Sequence, residues 1–181
     1  MRRVAVKGAS GAGKTTFAAE LARRLVVPHI ELDALHHGPN WSEPSAEEFT
    51  ARVRAVMAAN PQGWVIDGNY ERKVGQLVND AADTLIWLDL PLRTLLARLV
   101  WRSARRIGNQ QELWPGTGNR ESWRTVLFDW DGLLPWAVRS FRRHRREWPR
   151  RFASHPNFVR LRTPAEVAAW LDRLHSPATE L

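Results

Sequence analysis

Apolar residues along the chain fall into two alternating rhythms. Short runs beginning at Val4 and spanning Pro28–Asp33, Trp64–Asp67, Thr84–Asp89 and Asn157–Leu161 have the length of buried strands. Between them the apolar positions recur three and four apart. Phe49, Val53, Val56 and Met57 mark a helix from Ser45 to about Asn60, and Leu92, Leu95, Leu96, Leu99 and Val100 mark one from Pro91 to near Gly108. The same spacing in Val167, Trp170, Leu171 and Leu174 marks the last helix. Helices are also expected from Lys14 to about Leu25 and over Pro135–Trp148, with a short amphipathic piece near Lys73–Val78.

The punctuation agrees with this reading. Ser45 with Glu48 forms a capping box, Thr163-Pro-Ala-Glu166 caps the last helix, and Pro91 suits a first helical turn. Pro61-Gln-Gly63 ends a helix. Two stretches carry no period: Ala34–Pro44 is rich in turn residues, and Asn109–Ser122 is glycine-rich and polar, the composition of a loop that moves. Strands that alternate with helices imply an α/β fold, a parallel sheet covered by helices on both faces. Ligands of such sheets bind beyond the carboxyl ends of the strands, where Asp33, Asp67 and Asp89 stand. One or more of these carboxylates is expected to attend Mg²⁺ or the group that accepts a phosphoryl.

The first strand runs into Gly8-Ala9-Ser10-Gly11-Ala12-Gly13-Lys14-Thr15-Thr16, which fits G-x-x-x-x-G-K-[ST]. A loop of this kind wraps backbone N–H groups around a polyphosphate, and glycine is needed where a Cβ would block the approach or where φ is positive. Lys14 is expected to reach the β/γ-phosphates and Thr15 to hold Mg²⁺, with the helix N-terminus adding its dipole. The strand before and the helix after supply the context that this motif requires.

Composition narrows the class without changing the fold. The 181 residues suit one domain, and the absence of cysteine excludes a disulfide framework and thiolate metal sites. No apolar run approaches a membrane span and the short run before Lys7 is no signal peptide, so a soluble cytoplasmic protein is the expectation. The charge of +8 is uneven: residues 1–90 hold 10 Lys/Arg against 11 Asp/Glu, residues 91–181 hold 17 against 8. Of the 27 basic residues 24 are arginine, which forks onto phosphate oxygens, so nucleotide or nucleic acid is a fitting partner.

With these residues in place the chain resembles a known group. Gly8–Thr16, Asp67-Gly68, Leu88-Asp-Leu-Pro91 and the Arg98…Arg102 helix look like the adenylate-kinase-like branch of P-loop kinases. Leu32-Asp-Ala-Leu-His36 with Trp41, Val65-Ile-Asp-Gly-Asn-Tyr70 and Gly118-Asn-Arg-Glu121 resemble the kinase-related DNA topology modulation (FlaR-like) proteins. The resemblance implies a P-loop NTPase three-layer sandwich with a five-stranded parallel sheet in order 2-3-1-4-5. It implies a single kinase domain over 1–181, an acceptor-side segment over about 34–60, and a mobile lid over about 103–134. It makes Asp67 the carboxylate that holds Mg²⁺ with Thr15, makes Arg98, Arg102, Arg106, Arg120 and Arg124 candidates for clamping phosphate, and rests adenine near Arg102 and the Arg162–Pro164 loop.

True adenylate kinases grip the nucleoside monophosphate with stretches that this chain lacks, so a small-molecule acceptor fits better than AMP. Asp33 resembles the carboxylate that binds the acceptor hydroxyl in small-molecule kinases, where it serves as base. His36, His37, Trp41 and Tyr70 either line the acceptor pocket or pack the segment onto the body. Adjacent histidines point apart in most backbones, which speaks against a metal site on His36 and His37. The expected activity is Mg²⁺-dependent transfer from ATP to a small molecule or nucleotide, with Lys14, Asp33, Asp67, Arg102 and Arg120 as the catalytic set. The alternatives are an ATPase or an ATP-switched nucleic-acid-binding protein, the latter prompted by Arg139–Arg151. That helix face offers stacking only through His144, so nucleic acid is the weaker reading.

Overall fold

Five strands form one sheet in the order β2-β3-β1-β4-β5, with every pairing parallel. The computed structural model describes residues 1–124, 126 and 132–174. The strands are β1 (Arg3–Gly8), β2 (His29–Glu31), β3 (Trp64–Asp67), β4 (Thr84–Leu88) and β5 (Phe158–Leu161). The helices are α1 (Lys14–Leu25), α2 (Leu32–His36), α3 (Ala46–Ala58), α4 (Glu71–Val74), α5 (Leu77–Ala81), α6 (Leu92–Gly108), α7 (Leu133–Arg151) and α8 (Pro164–Arg173).

The central strands are mostly apolar because both their faces are covered, with Lys7 of β1 and Asp67 of β3 as buried charged exceptions. Val4 and Val6 of β1 point to one core with Phe17, Ala18 and Leu21 of α1, against which Val167, Trp170 and Leu171 of α8 pack. Ala5 points to the other core with Phe49 and Val53 of α3, Trp87 of β4, and Trp148 and Phe152 at the end of α7. The result is the expected three-layer sandwich. Each fully buried aromatic or aliphatic side chain contributes about 1.5–3 kcal/mol relative to exposure, so Trp64, Trp87 and Phe49 anchor the α3 side of the sheet.

Local signals explain most boundaries. Ser45 Oγ accepts from Glu48 N at 3.1 Å while Glu48 Oε2 accepts from Ser45 N at 3.0 Å, the reciprocal pair that starts α3. Thr163 Oγ1 accepts from Glu166 N and starts α8. The piece expected near Lys73–Val78 is two short helices, α4 and α5, separated at Gly75 with φ 59°. Asp33 does not end a strand: β2 stops at Glu31 and the chain winds directly into α2, which holds Asp33. Val100 and Leu174, expected on buried stripes, are exposed. No helix among the described residues is long and apolar enough to cross a membrane. Of the lid expected over 103–134, residues 125 and 127–131 lie outside the described residues, as does 175–181 of the expected domain.

Candidate active site

The loop between β1 and α1 is shaped by backbone that only glycine adopts without strain. Gly11 and Gly13 have φ of 82° and 84°, and a Cβ on Gly11 would lie 2.4 Å from the Leu95 carbonyl oxygen. Ala12 N donates to Ala9 O at 3.1 Å, and Lys14 Nζ folds back over the loop to Ala9 O at 3.4 Å. Gly8, Ala9 and Ala12 are buried, Ser10 is half-buried, and Thr15 and Thr16 on the first turn of α1 are exposed. Arg98 Nη1 reaches Ala12 O at 3.4 Å, which ties α6 to the loop. Burial lowers the pKa of Lys14, opposed by the charges of Asp33 and Asp67 and reinforced by those of Arg102 and Lys7.

The carboxylates come from neighbouring strands. Register places Asp67 beside Val6 of β1 and Glu31 of β2. Asp67 is 2% exposed. Its Oδ2 lies 3.4 Å from His29 Nε2 and has no hydrogen-bond partner. That orphaned hard oxygen, together with a hydroxyl such as that of Thr15 on the first turn of α1, is a donor set that suits Mg²⁺. Asp33 Oδ1 accepts from Tyr70 Oη at 2.7 Å. Burial raises the pKa of Glu31, and the charges of Asp67 and Asp33 raise it further. Asp89, the third strand-end carboxylate, has both oxygens engaged: Arg145 Nε donates to Oδ1 at 2.7 Å and Arg160 Nη2 to Oδ2 at 2.6 Å. It ties α7 to β5 and has no oxygen left for a metal.

Across from the loop the contacts are made by side chains. His36 sits edge-on to Phe49 and tilts against Tyr70, and His37 stacks on Trp114 with ring centroids 4.7 Å apart. Trp41 stands edge-on to both His37 and Trp114. The buried Asn119 binds the segment through both ends of its amide: Oδ1 accepts from Trp41 N at 2.9 Å and Nδ2 donates to Gly38 O at 3.0 Å. Two residues on, Glu121 Oε1 accepts from Arg106 Nη1 at 2.9 Å and lies 3.9 Å from Arg102 Nη2. Burial lowers the pKa of Arg102, Arg106 lowers it further, and Glu121, Asp33 and Glu31 oppose the shift. Arg102 therefore sits with the carboxylates and Lys14, whereas Arg120 and Arg124 are exposed. His36 and His37 do not point apart: their rings lie edge to face, 4.7 Å between centroids.

Beneath the loop lies a buried pair that the sequence reading passed over. Lys7 Nζ is 2.8 Å from Glu71 Oε1 and donates to Gly68 O at 2.9 Å. Burial pushes the Glu71 carboxyl up, but the Lys7 charge and hydrogen bond leave it lowered overall. On α7, His144 is not among the exposed arginines: it is 5% exposed and stacks on Trp148 at 3.8 Å, and burial lowers its pKa to about 4. Phe141 lies under Arg145, so neither ring offers a free stacking face. Lys7, Glu31, Trp114, Asn119 and Glu121 thus join the neighbourhood without having been singled out. A lysine inside an otherwise apolar strand was the one available signal for Lys7, and Asn119 and Glu121 stood unexplained within Gly118–Glu121.

No protein-family model and no curated sequence matches the chain. Solved structures do. A shikimate kinase from Bacteroides thetaiotaomicron is 15% identical with a TM-score of 0.56, covering 96% of this chain and 96% of that one. A gluconokinase from Sinorhizobium meliloti 1021 is 18% identical with a TM-score of 0.52, covering 96% and 93%. A deoxyadenosine kinase from M. mycoides, solved with bound dCTP, is 12% identical with a TM-score of 0.50, covering 97% and 100%. The chain has the P-loop kinase fold.

Proposed function

We propose that the chain is an ATP- and Mg²⁺-dependent phosphotransferase that acts on the hydroxyl of a small molecule. One observation carries the reading: the Lys14 ammonium lies over a glycine-built loop at the sheet's carboxyl end, where Asp33, Asp67 and Arg102 act on its charge. The small-molecule and nucleoside kinases that share the fold support it. The closer kinship to the DNA topology modulation (FlaR-like) proteins belongs to this proposal.

ATP with Mg²⁺ supplies an activated γ-phosphoryl group whose charge the metal shares. Residues Gly8–Thr16 bind the polyphosphate through backbone N–H groups, with Lys14 as the point charge upon it. Thr15 and Asp67 would hold the metal. Asp33, kept in place by Tyr70, accepts the proton of the acceptor hydroxyl. Arg102 and Arg120 stabilise charge on the transferring group, and Arg98, Arg106 and Arg124 take phosphate oxygens as the 103–134 lid closes and excludes water. The acceptor lies against the 34–60 segment, adenine near the Arg162–Pro164 loop. The burial of His144 and Trp148 removes their stacking surface from the Arg139–Arg151 face, which weighs against a nucleic-acid function.

Incubation with γ-labelled ATP and a mixture of sugars, sugar acids, nucleosides and nucleotides tests this reading. Label should enter one class of acceptor, and Lys14→Ala should lower the rate about 100- to 1,000-fold without unfolding the chain. Release of inorganic phosphate alone from every mixture would make the chain an ATPase.

A further inference from the structure

The chain path between α2 and α3 gathers three groups of transition-metal type. His36 is the last residue of α2, and His37 leaves the helix with extended angles, φ −92° and ψ 110°. The break in direction between them brings the two imidazoles to the same side. Gly38 N then donates to Ser42 O at 2.8 Å, closing a tight loop that returns Glu43 to the pair. One nitrogen of each histidine and one Glu43 oxygen lie within 4.8 Å of one another, and His36 Nε2 is 3.6 Å from Glu43 Oε2. Two ligands on a tetrahedral zinc-type ion stand about 3.3 Å apart, so small side-chain rotations close the set.

Two further observations point to a cation. The Nδ1 atoms of the buried His36 and of His37 have no hydrogen-bond partner. The Lys73 ammonium already stands between His36 and Glu43, 2.5 Å from His36 Nε2 and 2.8 Å from Glu43 Oε2. An ammonium at those two atoms means that the Nε2 lone pair and the carboxylate face positive charge.

We propose that His36, His37 and Glu43 form a site for a borderline divalent transition metal of the zinc, cobalt or nickel kind, for which the Lys73 ammonium competes. Two imidazoles and a carboxylate select such an ion over Mg²⁺, which prefers oxygen ligands alone. Bound there, the metal ties the end of α2 to the start of the acceptor-side segment. The site stands apart from the Thr15 and Asp67 pair and does not depend on the phosphotransferase reading.

Co²⁺ alone, titrated into the full chain without nucleotide, tests this through its visible absorption. One equivalent should bind and give the bands of a low-coordinate nitrogen and oxygen site, with Mg²⁺ in excess failing to displace it. His37→Ala and Glu43→Gln avoid the core and should each weaken binding at least about tenfold. Lys73→Met removes a competing charge at contact distance and should tighten binding at least about tenfold. Circular dichroism confirms that each variant is folded. A folded parent chain without a visible band, a band untouched by both ligand substitutions, or a Lys73→Met variant that binds no more tightly would overturn the proposal.

Discussion

Around Ala9–Gly13 the candidate site is formed by backbone, and two of its restraints are local, the positive φ angles and a lysine folded onto its own loop, while α6 packs close behind from far along the chain. Around His36–Trp41 it is formed by side chains from three separate stretches, 33–43, 70–73 and 114–119. Asn119 binds Gly38 and Trp41, Trp114 stacks on His37, Tyr70 donates to Asp33, and Lys73 reaches Glu43. A polyphosphate offers the same oxygens in every kinase, so a fixed backbone cradle suits it. An acceptor differs from one kinase to another, and side chains on loops are where such differences are accommodated.

The contrast is one of rigidity, and the largest expected effect lies under the backbone side. Lys7→Met leaves Glu71 buried and unpaired, which should lower stability by about 3–5 kcal/mol in urea unfolding, whereas Lys7→Met with Glu71→Met should restore most of it. The Glu71 carboxyl is lowered below its ordinary value of 4.5. Its contribution is therefore complete above that value and is lost as pH falls through the lowered one. A Lys7→Met variant as stable as the parent would mean that the loop does not rest on this pair.

Asp67→Asn comes next. It should reduce Mg²⁺-dependent transfer by about 100-fold or more while unfolding shifts far less, since the lost charge acts on the metal rather than on packing. Unchanged Mg²⁺ dependence would move that role to Asp33. At the join of the two sides, Arg102→Ala should lower kcat by more than about tenfold, or ~1.4 kcal/mol. A rise in KM for ATP alone would make Arg102 a ground-state contact.

The smallest effect belongs to the acceptor side. Asn119→Ala leaves Trp41 N and Gly38 O without their partner, so hydrogen exchange at the Trp41 amide should quicken about tenfold while the amides of Ala9–Gly13 keep their protection. Equal loosening of both would erase the distinction between the two sides.

The uneven legibility of the site follows from the same distinction. Gly8–Thr16 was readable because each constraint acts within a few residues, and Asp67 was readable because an apolar run ending in a carboxylate is a strand end. The Pro28–Asp33 run reads as a strand, yet Asp33 lies in α2: a three-residue strand passing straight into a helix has no punctuating glycine or proline. Asp89 shares with Asp67 the place after an apolar run, and only the fold shows Arg145 and Arg160, 56 and 71 residues away, holding it. His144 was placed with the arginines by helical spacing, yet α7 turns that position toward Trp148.

The amino-acid sequence by itself determined the alternation of strands with the main helices, the glycine loop and the parallel sheet, because glycine geometry, caps and apolar period are properties of neighbours along the chain. The tertiary structure alone decided which charges are available and which are spent. Asp67 keeps an unpartnered oxygen while Asp89 keeps none, Lys7 is consumed by Glu71, and Asn119 binds the segment 81 residues before it. Such pairings depend on distances through space between residues far apart in the chain, and no local pattern encodes them.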